Sequence, residues 1–190
     1  MEYKYFELKL TDNITRKLPI VTTGSGLKIA GFDSVGDIEL LTYAAADLMF
    51  QLKSKVDYIL TTEVKGIPIA QEIAKLLGVP YICLRKQYKV YMGNYIEFEG
   101  SSVTSGVSNY FISRDQANAI YGKNVLFVDD VYSTGSTMTL IETVCEYLQS
   151  NLVGGAFILK EQSAQDSYTK EFKHNNIDCY SVAMLPLMED

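Results

Sequence analysis

The stretch VLFVDDVYSTGST, residues 125–137, decides the fold prediction for this chain. It begins with a run of apolar residues, continues with the adjacent carboxylates Asp129 and Asp130, and ends in a loop in which four of five residues carry hydroxyl groups. The apolar run predicts a buried strand, and the residues after the loop predict a helix with one apolar face. A strand that ends in acids and leads through a small polar loop into a helix is typical of a ligand-binding edge.

The rest of the chain alternates between helical and strand patterns. The spacing predicts helices at 37–53, 68–77 and 137–149, and strands at 57–63, 79–85, 110–114, 125–130, 156–160 and 179–185. This alternation predicts an α/β domain with a mostly parallel central sheet. Polar loops follow three of the strands, at 63–66, 85–89 and 129–137. Since the carboxyl ends of parallel strands share one edge, we expect these loops to converge on one site.

Composition places the chain among single-domain, cytoplasmic proteins. Its 190 residues are 47% hydrophobic, which is enough for one full-sized core over residues 1–190. The net charge of −6 argues against a nucleic-acid partner, and no run of about 18 apolar residues predicts a membrane span. Cys83, Cys145 and Cys179 lie far apart in apolar runs, as buried reduced thiols do. We expect the single histidine, His174, at the surface.

The loop after the acids, residues 133–137, has the composition of an anion site. Serine and threonine donate hydrogen bonds, and Gly135 allows a tight turn that directs backbone N–H groups inward. The loop enters a helix N-terminus, where unpaired N–H groups and the helix dipole favour a phosphate. An ordinary serine or threonine helix cap is the alternative, although one cap needs only one such residue.

The acids before this loop limit what the phosphate can belong to. Asp129 and Asp130 would repel a bare phosphate, but carboxylates also accept hydrogen bonds from sugar hydroxyls or hold a divalent cation. Exposed acids at a capped turn are the alternative for the pair taken alone. The chain has neither G-x-x-x-x-G-K-[ST] nor a G-x-G-x-x-G after a strand, which argues against P-loop nucleotide and dinucleotide binding. A phosphorylated sugar bound with Mg²⁺ remains.

The same stretch resembles the signature of the type I phosphoribosyltransferases, which bind 5-phosphoribosyl-1-pyrophosphate. The resemblance covers about residues 27–162 and implies a mostly parallel central sheet flanked by helices. It also implies an N-terminal hood of about residues 1–36 and a flexible catalytic loop of about residues 86–109. In that family the acids, here Asp129 and Asp130, contact the ribose, and Mg²⁺ is held through the substrate with their help. The 5-phosphate would be bound by Ser133, Thr134, Gly135, Ser136 and Thr137.

Two further segments resemble parts of the same family. TTEVKGIPIA resembles its pyrophosphate loop, which implies that backbone N–H groups and one cation come from Val64, Lys65 and Gly66. LRKQYK resembles the basic start of its flexible loop. Pyrophosphate would then be neutralised by Arg85, Lys86 and Lys89. Among these cations Lys89 is expected to take part in the chemistry, and one or more of the three to reach across the interface of a homodimer.

The hood segment LKIAGFDSVGDIELL, residues 27–41, resembles bacterial xanthine phosphoribosyltransferases. On that match Leu27 packs on the base and Ser34 lies at a base-reading position. Val131, which follows the acidic pair, is also expected to contact the base. The xanthine enzymes have asparagine where Ser34 stands, so the match does not select xanthine.

Two other positions bear on the base. Adenine enzymes carry a glutamate–tyrosine pair where Thr104 and Ser105 stand here. Glu161 follows a predicted strand and either faces the base or is an ordinary surface acid.

The function that follows is transfer of a phosphoribosyl group to a nucleobase, with a purine expected, and release of pyrophosphate in purine salvage. An orotate or pyrimidine enzyme is one alternative, and a non-catalytic regulator that senses the activated sugar is another. The regulators that resemble this fold carry a DNA-binding domain ahead of it, whereas 26 residues precede Leu27 here. A two-domain synthase of the activated sugar would need a much longer chain. We expect a homodimer as the assembly.

Overall fold

The computed structural model describes residues 4–11, 14–22, 24, 26, 28–102, 106–162 and 170–186. Its helices are α1 (Ile38–Gln51), α2 (Gly66–Leu77), α3 (Arg114–Ala119) and α4 (Ser136–Tyr147). Its strands are β1 (Tyr5–Lys9), β2 (Thr15–Thr22), β3 (Lys28–Ala30), β4 (Tyr58–Thr62), β5 (Tyr81–Leu84), β6 (Tyr95–Ser102), β7 (Gly106–Ser113), β8 (Asn124–Tyr132), β9 (Asn151–Glu161), β10 (Glu171–His174) and β11 (Ile177–Leu185).

A six-stranded sheet forms the centre of the protein, in the order β10-β11-β9-β8-β4-β5. Its strands are parallel except for β10, which is antiparallel to β11 at one edge. Apolar side chains cover both faces in two clusters, one packed under α1 and α2 and the other under α4. The predicted fold class, a mostly parallel α/β sheet flanked by helices, is therefore confirmed.

The hood contains a small antiparallel sheet that the sequence patterns did not predict. Strands β1, β2 and β3 pair in chain order, and β3 leads directly towards α1. Arg16 on β2 fastens this sheet to the domain, since its Nε and Nη2 donate to Asp37 at 2.6 and 2.9 Å. Asp37 also caps α1 by accepting from the Leu40 N–H.

The predicted flexible loop contains an antiparallel hairpin of β6 and β7, which pair from Tyr95 with Ser113 to Ser102 with Gly106. The hairpin is joined to the end of β5 by paired backbone hydrogen bonds between Arg85 and Phe111. Thr104 and Ser105 lie outside the described residues. The short helix α3, which follows the hairpin, was not predicted.

The buried cysteines behave mostly as predicted, whereas the histidine does not. All three thiols are free; Cys145 and Cys179 are buried and Cys83 is partly buried. Burial raises the pKa of the Cys83 thiol to about 12, which keeps it protonated and unreactive at neutral pH. The prediction of a surface position for His174 is wrong, because β10 carries the ring beneath the start of α4, where 11% of its side chain is exposed. In the described residues, no helix is both long and apolar enough to cross a bilayer.

Candidate active site

A cavity of about 530 Å³ opens at the carboxyl edge of the central sheet. The three polar loops singled out in the sequence all contribute to it, together with the hood and the ends of β9 and β11. The lining residues are Ile29, Ala30, Gly31, Phe32, Thr62, Glu63, Val64, Lys65, Lys86, Tyr110, Asp129, Asp130, Val131, Ser133, Thr137, Glu161 and Leu185. The predicted convergence of these loops on one site is thus found in the structure.

The two acids lie near the end of β8 and both reach the cavity. The Asp129 carboxylate accepts from the Asp130 N–H at 2.9 Å and from the Thr62 hydroxyl at 3.3 Å. Burial, followed by repulsion from Asp130, raises the pKa of Asp129 well above its ordinary value. Burial also raises the pKa of Asp130, although the Lys65 ammonium, 4.0 Å from its Oδ2, opposes that rise. The carboxylate oxygens of this pair can accept further hydrogen bonds. The pair therefore favours hydroxyl donors or a cation as ligands.

The loop between β4 and α2 lies beside the acids and includes a cis peptide bond between Glu63 and Val64. Lys65 points across the cavity, and its Nζ donates to the carbonyl oxygen of Phe32 in the hood at 2.7 Å. Gly66 permits the close approach of this loop to β8, because a Cβ there would lie 2.6 Å from Asp129 Oδ1. The loop therefore brings a cation and the backbone of Val64 alongside the acids.

The basic segment after β5 is held by one acid of that loop. Glu63 accepts from Arg85 Nη1 at 2.5 Å and from the Lys86 N–H at 2.9 Å. Burial acts to raise the pKa of Glu63, but these hydrogen bonds outweigh it and the pKa is lowered. Lys86 lines the cavity, whereas Arg85 is committed to Glu63 and neither Arg85 nor Lys89 is among the lining residues. Their predicted roles with pyrophosphate remain predictions.

The loop that follows β8 enters α4 through Gly135, which has a φ of +82° and caps the helix without any side-chain hydrogen bond. The N-terminal N–H groups of α4 are thus not occupied by a serine or threonine cap, contrary to the alternative considered from sequence. Ser133 and Thr137 line the cavity, while the Thr134 hydroxyl donates to Ser136 Oγ at 3.2 Å. A helix N-terminus that has no side-chain cap and has hydroxyls beside it favours an anion.

His174 and Tyr132 support this loop from below. The Tyr132 hydroxyl lies 2.9 Å from His174 Nδ1, and His174 Nε2 lies 3.2 Å from both Thr139 Oγ1 and Glu142 Oε2. A Cβ on Gly135 would lie 2.7 Å from the tyrosine hydroxyl and 2.9 Å from the imidazole ring. The glycine is therefore required by contact as well as by its backbone conformation. Sequence reasoning missed this support because β10 approaches α4 only in the folded sheet.

Not all of the predicted base-binding residues are found at the cavity. Val131 lines the cavity at the end of β8. Leu27 lies outside the described residues. Ser34 is fully buried, is not among the lining residues, and its hydroxyl has no hydrogen-bond partner in the described structure. The hood instead presents residues 29–32 to the cavity, which the sequence did not single out.

Asp129 and Asp130 suit a hard divalent cation only in part. Carboxylate oxygens are the ligands that Mg²⁺ prefers, and it is commonly held by one or two of them together with substrate phosphates. In the described residues no group of three or more histidine, cysteine, aspartate or glutamate side chains is arranged to hold a metal. Among the described residues, the donor set therefore fits a cation that a bound phosphate ligand helps to hold.

Comparison with known proteins agrees with this geometry. The probable purine biosynthesis transcriptional regulator PurR of Streptococcus pneumoniae is 28% identical over 139 residues, which cover 70% of this chain but 50% of the regulator. The chain thus spans about half the length of the regulators that it matches. The xanthine phosphoribosyltransferase of Alkaliphilus metalliredigens is 28% identical over 186 residues, covering 96% of this chain and 91% of the enzyme. The hypoxanthine/guanine phosphoribosyltransferase of Methanospirillum hungatei is 31% identical over 161 residues, covering 84% and 75%.

A solved structure shows the same fold. The adenine phosphoribosyltransferase of Thermoanaerobacter pseudethanolicus superposes with a TM-score of 0.66 at 21% identity, over 84% of this chain and 90% of that enzyme. The family model for the phosphoribosyl transferase domain matches residues 33–151, more than half of the chain and all of β4 to α4. The resemblance noted in the sequence is confirmed, and the chain belongs to the phosphoribosyl transferase domain family.

Proposed function

We propose that this protein transfers the phosphoribosyl group of 5-phosphoribosyl-1-pyrophosphate to a purine base and releases pyrophosphate. One observation carries the proposal: a buried strand, an acidic pair and an uncapped helix N-terminus follow one another around a single cavity, with a cationic loop opposite. The acids lie between the helix N-terminus and the cationic loop, just as the ring hydroxyls of the activated sugar lie between its 5-phosphate and its pyrophosphate. The relatives named as xanthine and hypoxanthine/guanine phosphoribosyltransferases support a purine as acceptor.

In the proposed reaction, a base nitrogen displaces pyrophosphate at the anomeric carbon, and different residues of the cavity bind different parts of the activated sugar. Asp129 and Asp130 orient the ribose through its hydroxyls, and the N-terminus of α4 holds the 5-phosphate. Lys65 and Lys86 balance the charge of the departing pyrophosphate. The C1–oxygen bond breaks and its electron pair leaves with pyrophosphate. The lone pair of the base nitrogen forms the new C1–N bond, and the N–H proton passes to solvent or to pyrophosphate.

The cation in this proposal is Mg²⁺ brought by the substrate, with Asp129 and Asp130 as the protein groups that would hold it. When bound, it supplies positive charge to the pyrophosphate oxygens. The same proposal includes a homodimer in solution, which sedimentation would test. It also includes a place in cytoplasmic purine salvage, which growth on supplied purines would test.

The direct test is a screen of adenine, guanine, hypoxanthine, xanthine, orotate and uracil with the activated sugar and Mg²⁺, followed by pyrophosphate release. Turnover of at least one purine, and its loss in the double variant Asp129→Asn/Asp130→Asn, is the expected result. Orotate should be a poor acceptor, because its carboxylate would enter a cavity that already holds Glu161. Turnover that survives in the double variant would contradict the role given to the acids.

A second function, sensing of the activated sugar without chemistry, is favoured by one specific observation. Several of the matching relatives are named as purine biosynthesis regulators. Tight binding of the activated sugar, with no pyrophosphate release for any of the six bases, would select this function. Calorimetry measures binding of the activated sugar and the release assay measures turnover. Both are run on the same preparation, so that sensing and catalysis can be distinguished.

A further inference from the structure

One corner of the cavity differs from the rest in its chemistry. The hood forms one wall of it, and the carboxyl ends of β8, β9 and β11 form the other. Its apolar members are Ile29, Ala30, Phe32, Val131 and Leu185. Glu161, the last residue of β9, lines the cavity beside them, and Lys65 reaches the hood side of the same region through the Phe32 carbonyl oxygen. Apolar lining residues with a carboxylate at their edge are suited to a heterocycle that is read by a polar group.

The proposed function, on which this inference rests, assigns this corner to the base. The phosphate, the sugar and the pyrophosphate are matched by α4, the acidic pair and the lysines, as described above. What remains of the cavity is the apolar corner, and the base is the one part of the reactants that carries neither phosphate nor hydroxyl groups. Glu161 is then the side chain at the edge of the base.

The structure holds the Glu161 side chain in place while leaving acceptor capacity free. Glu161 pairs in register with Leu185 on β11, and its Oε2 accepts a hydrogen bond from the Ser133 hydroxyl. The ion pairs found in the described part of the chain do not include Glu161. Its second oxygen therefore has no partner there.

We propose that Glu161 reads the base and selects purines that carry an exocyclic amino group. An ionised carboxylate only accepts hydrogen bonds, so it favours an amino group and repels a carbonyl oxygen presented at the same position. Adenine carries its amino group at C6, where hypoxanthine carries a carbonyl oxygen, and guanine carries its amino group at C2, where xanthine carries a carbonyl oxygen. A hydrogen bond to a charged group is worth about 1.5–3 kcal/mol, so we expect the better aminopurine to exceed hypoxanthine in kcat/KM by roughly 10- to 100-fold.

The test compares kcat/KM for the four purines in the wild type and in Glu161→Gln. The amide both donates and accepts, so the ratio of aminopurine to hypoxanthine should fall by about tenfold or more while KM for the activated sugar is unchanged. Glu72→Gln, a surface acid paired with Lys75 on α2, is the matched control and should leave the ratio as it is. A preference for hypoxanthine or xanthine in the wild type, or a ratio that Glu161→Gln does not move, would overturn the proposal.

A second variant separates reading of the base from support of Ser133. If Glu161 acted only by holding that hydroxyl, Ser133→Ala would lower the ratio as far as Glu161→Gln does, and this result would also overturn the proposal. Calorimetry with AMP, GMP and IMP provides a readout that does not depend on turnover. Absence of turnover with a retained preference for AMP or GMP over IMP would count against the catalytic assignment alone and support the reading role.

Discussion

At the scale of the single residue, the buried carboxylate of Asp129 lowers the free energy of unfolding when it is ionised. Its carboxylate is buried beside Asp130, and both effects raise its pKa. An aspartate whose pKa is higher in the folded than in the unfolded protein favours folding most at low pH. This contribution is lost as pH rises through the folded-state pKa. The empty protein should therefore become less stable from mildly acidic towards alkaline pH.

Asp129→Asn should remove this pH dependence and raise the free energy of unfolding above neutral pH by on the order of 1 kcal/mol. The amide keeps the shape of the side chain, so the hydrogen bonds with Thr62 and the Asp130 N–H can be retained. Binding of the activated sugar should be lost at the same time. Denaturant unfolding from pH 5 to pH 9 measures the effect. Asp130→Asn is the control and should stabilise less, because Lys65 already offsets that charge. Equal or reduced stability of Asp129→Asn at alkaline pH would contradict the argument.

Gly135 offers a second prediction at this scale. Gly135→Ala would place a methyl group against Tyr132 and His174 and would also strain a backbone with φ of +82°. Gly122→Ala is the matched control, since Gly122 has φ of +67° but nothing within 4 Å of its Cβ position. Both variants should lose about 1–2 kcal/mol of stability from the left-handed backbone. Only Gly135→Ala should weaken ribose 5-phosphate binding in calorimetry, by about tenfold. Equal affinities in the two variants would show that the contacts below the loop do not position it.

At the scale of the element, the sequence predicts those helices, strands and loops whose residues are contiguous in the chain. The strand, acids, loop and helix from β8 to α4 could be predicted because apolar periodicity, adjacent carboxylates and a small polar loop are contiguous in the chain. The hood sheet and β10 could not, because short strands depend on partners distant in sequence. The engagement of Arg85 by Glu63 spans 22 residues, and no periodicity encodes it. For the same reason, the contacts of His174 below the loop that follows β8 could not be predicted.

Glu63→Gln tests whether this engagement organises the basic segment. The amide cannot neutralise Arg85, so the segment after β5 should be held less firmly and KM for the activated sugar should rise by about tenfold. KM for the base should be unchanged, because Glu63 lies on the pyrophosphate side of the proposed site. The lowered pKa of Glu63 means that its pairing stabilises the fold at neutral pH and is lost as pH falls through the folded-state pKa. Glu97→Gln, which alters an exposed contact with Asn109 on the hairpin, is the control and should leave both KM values as they are. A rise in KM for the base alone would contradict this assignment.

At the scale of the whole molecule, the hood and the sheet form one site through a few long-range contacts. Residues 29–32 line the apolar corner of the cavity, and Lys65, on the loop after β4, donates to the Phe32 carbonyl oxygen and so joins that loop to the hood. Arg16 fastens the other side of the hood to Asp37 at the start of α1. In the proposed function, the position of the base against Glu161 and Val131 would therefore depend on docking of a three-stranded sheet that has few strands of its own to stabilise it.

Arg16→Leu should loosen the hood without touching the sugar site. Its guanidinium hydrogen bonds lower the pKa of Asp37, so the pair stabilises the fold above the ordinary aspartate pKa. This contribution is lost as pH falls through the depressed folded-state value. At neutral pH the variant should lose on the order of 1 kcal/mol, and KM for the base should rise about fivefold while KM for the activated sugar stays constant. The stabilities of variant and wild type should converge in acid.

Lys53→Met, which breaks an exposed ion pair with Glu171, is the control and should change neither KM. A parallel rise in both KM values would show that the hood and the sugar site move together.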